Sequence, residues 1–190
     1  MIGKGKRKEL RILLGIVIVI VSLIVLSQGI RSAFSFNLNA QKGSKEEVLR
    51  GKKNAPINAF IVYQPGMTGF TDKVVHQIAA GLNDSGYEVT MNHPGEYLST
   101  NVSQYALVVF CSPVYSGQPS KAITNYISSI NIPSSCRIAL ISTGSFKYYM
   151  ELDAMEKFLQ RTKVYKKVKF IMSEHDNDIT AYNLGLELSK

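Results

Sequence analysis

Three short stretches of this chain combine residue types suited to holding a ligand. The first is Gln64-Pro65-Gly66-Met67-Thr68-Gly69-Phe70-Thr71. Gly66 and Gly69 let backbone N–H groups turn inward, and Thr68 and Thr71 add hydroxyl donors at the start of a predicted helix. Amides converging on a helix N-terminus suit a phosphate. The lysine-serine/threonine end of a P-loop is absent, and taken alone such a turn is more often a plain helix cap. The second stretch is Cys111-Ser112-Pro113-Val114-Tyr115-Ser116-Gly117-Gln118-Pro119. Two prolines stiffen it, and Tyr115 presents a flat face. The third is Thr143-Gly144-Ser145-Phe146-Lys147-Tyr148-Tyr149, a close-approach glycine followed by aromatics. Aromatics in loops also serve as lids on a core. What favours a ligand is convergence, because all three stretches follow predicted strands.

Other chemistries find less support. His76, His93 and His175 share no metal-ligand spacing. Glu174, Asp176 and Asp178 gather beside a helix start, where negative charge is favourable without a cation. No metal is expected. Cys111 falls at the end of one strand and Cys136 at the start of the next. Those ends of a parallel sheet are opposite, so a disulfide is not expected. Cys111 reads as a buried thiol, with a reactive thiol as the alternative. No Gly-x-Ser-x-Gly or Ser-His-Asp signature occurs.

The elements that must position these loops alternate. Ile57–Tyr63 is short, apolar and β-rich. Thr71–Leu82 has apolar residues at 74, 75, 78, 79 and 82, the helical spacing, and closes at Gly86. Strands are predicted at Tyr87–Met91, Tyr105–Phe110, Arg137–Ser142 and Val168–Met172. Helices are predicted at Ser120–Ile130, Met150–Leu159 and Asp178–Leu188. Five strand–helix alternations predict a parallel sheet covered on both faces. Ligands of such sheets bind beyond the carboxyl ends of the strands.

The remainder is an arm. Of 22 Lys/Arg and 14 Asp/Glu, residues 1–56 hold 11 and 3, so the net charge of +8 lies there and the rest is balanced. A nucleic-acid-binding domain is therefore disfavoured. Ile12–Ile30 is an uncharged run of 19 residues, about 28 Å as a helix and close to a bilayer core. A cleaved signal peptide is the rival, but the residues after the run give no clear small-x-small cleavage site. Residues 1–11 read as a basic cytoplasmic tail, 12–30 as a membrane anchor, 31–56 as a polar tether with a short helix at Ser44–Leu49, and 57–190 as the folded domain. Five basic residues precede the anchor and three follow it closely, which leans the domain outside the cell.

Residues 57–190 resemble the flavodoxin-like family. The resemblance rests on Thr68-Gly69-Phe70-Thr71, which looks like the family's Thr-Gly-Asn-Thr phosphate loop. It rests also on Ser112-Pro113-Val114-Tyr115-Ser116-Gly117, similar to the Ser-Pro-Val-Tyr-x-Gly run of its reductases, and on Ser142-Thr143-Gly144. Phe70 and Gly66 depart from the family pattern. The resemblance implies an α/β fold with five parallel strands in the order 2-1-3-4-5. It implies FMN as cofactor, with Gly66, Met67, Thr68, Gly69, Phe70 and Thr71 around the phosphate. Ser112, Pro113, Val114, Tyr115, Gly117, Thr143, Gly144 and Ser145 would flank the isoalloxazine. The function expected is electron transfer or flavin-dependent reduction at a membrane, with an unidentified redox partner. The alternative is a flavin-free interaction module on the same scaffold. A phosphorylated receiver domain would need carboxylates where Tyr63 and Ser112 stand.

Overall fold

The computed structural model describes residues 4–51, 57–147, 150–159 and 162–190. It divides into two compact units, Met1–Leu38 and Asn39–Lys190. The first is helix α1, Lys4–Asn39. Within it Arg11–Ile30 is long and apolar enough to cross a membrane, and no residue of that span is buried. Helix continues through residues 31–39, where a polar tether is expected.

The second unit is built on five parallel strands: β2 (Ile57–Tyr63), β3 (Tyr87–Asn92), β4 (Leu107–Tyr115), β6 (Arg137–Gly144) and β7 (Val164–Ile171). They lie in the order β3-β2-β4-β6-β7, which is the expected 2-1-3-4-5. The central strands are apolar on both faces because both are covered. On one face α2 (Phe70–Asp84) and α5 (Asn177–Leu188) pack over Ile61, Val109 and Ile141. On the other, α3 (Lys121–Ser129) and α4 (Met150–Glu156) pack over Val62, Val108 and Leu140. Each fully buried Val, Leu or Ile contributes roughly 1.5–3 kcal/mol relative to exposure. Helices α2 and α5 meet through Gly81 and Gly185, where an added Cβ would strike the partner's backbone carbonyls, those of Tyr182 and Ile78.

Three predicted elements change. Strand β4 runs on to Tyr115, and a two-residue turn joins it to β5 (Gln118–Pro119). The last strand starts at Val164, four residues earlier than its apolar run. Lys163, Tyr165 and Lys167 are exposed along this sheet-edge strand, which disguises it. Residues 44–49 form no helix. Glu47–Leu49 is strand β1, antiparallel to β3, with Leu49 packed on the core. Its three residues gain more from pairing with an existing edge than from an isolated helical turn.

Residues 39–51 therefore belong to the domain as a strap. Asn39 Oδ1 accepts from the Lys121 N–H at 2.8 Å and the Ala40 carbonyl from Gln64 Nε2 at 3.2 Å. The Gly43 carbonyl lies 3.1 Å from His93 Nδ1, and the Lys45 N–H donates to Asn92 Oδ1 at 2.8 Å. Residues 52–56 of the expected tether lie outside the described residues.

Glu47 also ties the strap to α2, its carboxylate lying 2.9 Å from His76 Nε2. Burial alone would lower the His76 pKa, but the Asp72 carbonyl and the Glu47 carboxylate outweigh it and hold the ring above its usual range. A base with a raised folded pKa stabilises fully below its unfolded value, about 6.5, and the benefit disappears as pH rises through the folded value. The stability advantage of the parent over His76→Gln should therefore be largest near pH 6 and shrink toward pH 9. Urea denaturation of both proteins across that range measures it, and an advantage that grows with pH would refute the pairing.

Candidate functional site

The three candidate loops sit at the carboxyl ends of β2, β4 and β6, three consecutive strands of the sheet. After β2, the Gln64 N–H donates to the Cys111 carbonyl, extending the pairing by one residue. The chain then turns through Gly66–Gly69 into α2. Gly69 is the N-cap, at φ 73, and has no side chain with which to cap the helix. The first α-helical bond runs from the Lys73 N–H to the Gly69 carbonyl. The amides of the first turn ahead of it have no intrahelical acceptor. Thr68 Oγ1 stands 3.4 Å from the Phe70 amide, and Met67, Thr68 and Gly69 are exposed. No lysine or arginine lies in residues 64–71, so an anion here would depend on amides, hydroxyls and the helix dipole.

Thr71 and Thr143 close the floor of this edge. Their hydroxyls are 2.7 Å apart and buried. A Cβ at Gly66 would come 2.8 Å from Thr71 Oγ1 and 3.8 Å from Pro113 Cβ. Gly66 thus allows close approach over the threonine hydroxyl.

The second stretch is a β-hairpin tip instead of a loop. Val114 pairs with Pro119 and Tyr115 with Gln118. Ser116 and Gly117 form the turn, both with positive φ (51 and 75), the geometry of a two-residue turn matched to strand twist. Ser112, a proposed ligand contact, is committed elsewhere. Its buried Oγ accepts from the Ser120 N–H at 2.8 Å and donates to the Pro113 carbonyl at 2.9 Å, closing the base of the hairpin. Tyr115 is half-buried. Burial raises its phenol pKa, partly offset by the Met67 backbone.

In the third stretch Gly144 ends β6, and a Cβ there would lie 3.4 Å from Val114 Cβ. Ser145, Phe146 and Lys147 are exposed beyond it. Tyr148 and Tyr149 lie outside the described residues. The geometry therefore groups Gly66, Thr71, Pro113 and Thr143, pairs Gly144 with Val114, and leaves Phe70 partly exposed as the first residue of α2.

Sequence reasoning misses one group. Sheet register sets Ser112 beside Ser142, and Ser142 beside Lys169, in one row under these loops. Ser142 Oγ donates to Glu151 Oε1 at 2.9 Å, and Lys169 Nζ lies 2.5 Å from the same oxygen. The signal was present: Lys169 interrupts an apolar strand, and Glu151 lies four residues before the buried Met155 on the inner face of α4. A second omission is Tyr63 and His93, which meet edge to face at 4.9 Å beneath the strap. Burial holds the His93 ring below its usual range, partly offset by the Gly43 carbonyl, and pushes the Tyr63 phenol up. The acidic residues after β7 are partly paired, Asp178 with Lys73 at 2.7 Å and Glu174 with Lys147 at 3.8 Å.

No protein-family model matches the chain, and no curated protein matches it. Solved structures do. A flavodoxin of Streptococcus pneumoniae TIGR4 is 19% identical, with 70% of this chain and 97% of that one covered at a TM-score of 0.56. The two-electron-reduced flavodoxin of Megasphaera elsdenii is 16% identical, with 69% and 98% covered at 0.57. The metal-soaked Flv1 flavodiiron core of Synechocystis sp. PCC6803 is 17% identical at 0.56, and the match covers 70% of this chain but only 35% of that core. The fold of residues 39–190 is flavodoxin-like.

Cys111 and Cys136 are both free and buried. Burial pushes the Cys136 thiol up to about 11, against the Val108 backbone and the Arg137 charge, and raises Cys111 further. Since the thiolate is the reactive form, neither should react with an aromatic disulfide reagent at pH 8 in the folded protein. Both should react at once in denaturant. Rapid labelling of one thiol in the native state would assign Cys111 a reactive role.

Proposed function

We propose that the domain binds FMN at the carboxyl ends of β2, β4 and β6 and takes part in electron transfer or flavin-dependent reduction. The observation that carries this reading is the Gly66–Thr71–Thr143 arrangement: a glycine that leaves room over a buried hydroxyl pair, at the start of α2. Bound FMN would supply reversible one- or two-electron chemistry. The chain's part is to hold and orient it. The first-turn amides of α2 and the hydroxyls of Thr68 and Thr71 would take the phosphate. With Thr143 donating to Thr71 Oγ1, the Thr71 proton is free for a phosphate oxygen. The hairpin tip with Tyr115, together with Thr143, Gly144 and Ser145, would flank the ring. Departures at Gly66 and Phe70 remove two side-chain donors, and the reading assigns their share to backbone amides.

A fragment spanning residues 39–190 keeps the strap and should purify yellow, or become so on addition of FMN. Thr71→Ala should weaken FMN binding about tenfold to a hundredfold, the worth of one hydrogen bond to a charged group. Fluorescence titration of the apo-protein measures it. A parent fragment that stays colourless and takes up no FMN would refute the cofactor and leave the flavin-free interaction module.

We also propose that residues 12–30 anchor the protein in the membrane, with the basic tail in the cytoplasm and the domain outside. The apolar helix and the charge asymmetry around it support this. Protease added to intact cells should remove a tag placed after Lys190. A tag that survives until the membrane is opened would put the domain in the cytoplasm.

A further inference from the structure

The pair formed by Glu151 and Lys169 is unlike the other ion pairs among the described residues. Its side chains are 1% and 2% exposed, whereas every other paired side chain is at least 31% exposed. Both charges have been taken out of water at the ligand edge. A buried pair of this kind is a poor source of stability, since apolar residues of similar volume usually serve as well or better. Its location suggests another use. Lys169 Cε lies 3.9 Å from the point a Cβ of Gly144 would occupy, so the lysine side chain passes directly beneath the start of the third loop. Glu151, from the first turn of α4, receives both Lys169 Nζ and Ser142 Oγ on one oxygen. It thereby joins the end of β6 to β7 on one side of the loop and to α4 on the other.

We propose that the Glu151–Lys169 pair is a positioning element of the ligand site. It fixes the third loop from below and sets the local charge felt by an electron-accepting ring held above it. The first half stands on the apo geometry, and the second rests on the FMN reading. Reduction adds negative charge to a bound ring. Removing the carboxylate adds net positive charge below the ring and should favour the reduced form. Removing the ammonium leaves the carboxylate and should favour the oxidised form. A merely structural pair would not produce shifts of opposite sign.

The test uses the full-length chain in detergent. Glu151→Gln should raise, and Lys169→Met should lower, the ratio of affinities for reduced and oxidised FMN, each by about tenfold for a charge felt across a poorly solvated gap. Redox titration reads this directly. Shifts of the same sign, or none, in variants that bind FMN would overturn the electrostatic role. Because either single change strands a buried charge, the double variant E151Q/K169M, neutral and close in shape, guards against misfolding. In it, hydrogen exchange of the apo-protein should show the Met172 amide, which donates to the Gly144 carbonyl at 2.9 Å, losing about tenfold protection while Val109 and Ile141 keep theirs. Unchanged protection of that amide would overturn the positioning role, whether or not FMN binds. A parent chain that takes up no flavin would defeat the FMN reading and the electrostatic half together. The exchange result would still decide the loop.

Discussion

The structure depends on the parallel pairing of β2, β4 and β6. Their register sets Phe60 beside Val108 and Val108 beside Ile138, and both faces of the resulting sheet are buried under helices. A sheet covered on both faces has no side left for water or ligand. Polar chemistry can enter only at the strand ends, and right-handed crossovers put the loops of successive strands at the same end. Hence the small residues, hydroxyls and turns with positive φ gather where β2, β4 and β6 stop. The same register that stacks apolar residues in the interior produces the polar row Ser112, Ser142, Lys169 four or five residues further along.

Much of this was legible because it is periodic. Apolar runs bounded by Pro-Gly or Asn-His-Pro specify buried strands, and the spacing in Thr71–Leu82 specifies a helix with one buried stripe. The loops were legible because glycine and threonine before a helix have few uses. The illegible parts depend on partners distant in sequence. Glu47-Val48-Leu49 has no pattern of its own and becomes a strand only because the edge of β3 is vacant beside it. Val164–Lys167 is a strand whose outward residues are those of any exposed segment. Ser112 looked available to a ligand until the hairpin brought the Ser120 N–H to it from eight residues away. In each case local propensity was overruled by a tertiary neighbour.

The strap shows how such neighbours extend the domain. Asn39 is held at the start of α3, Ala40 at the end of β2, and Gly43 to Lys45 at the end of β3. Residues 39–45 thus run along the carboxyl end of the sheet, the same edge that carries the candidate loops. Most of these contacts use backbone groups of the strap, so its path is fixed with little demand on its sequence. That explains why composition alone marks it as a tether.

The buried polar atoms follow the same geometry. Among the described residues, Tyr63 Oη, His93 Nε2 and Glu151 Oε2 are buried with no hydrogen-bond partner among those residues, and all three lie toward the carboxyl end of the sheet. An atom of this kind that found no partner would cost roughly 1–3 kcal/mol, so each burial there demands a partner. Scattered through a core, such groups would oppose close packing. Gathered at one edge, near the start of α2 and a hydroxyl pair, they are polarity that a ligand or ordered water can reach, and whatever pairs with them is held by the cost of leaving them bare.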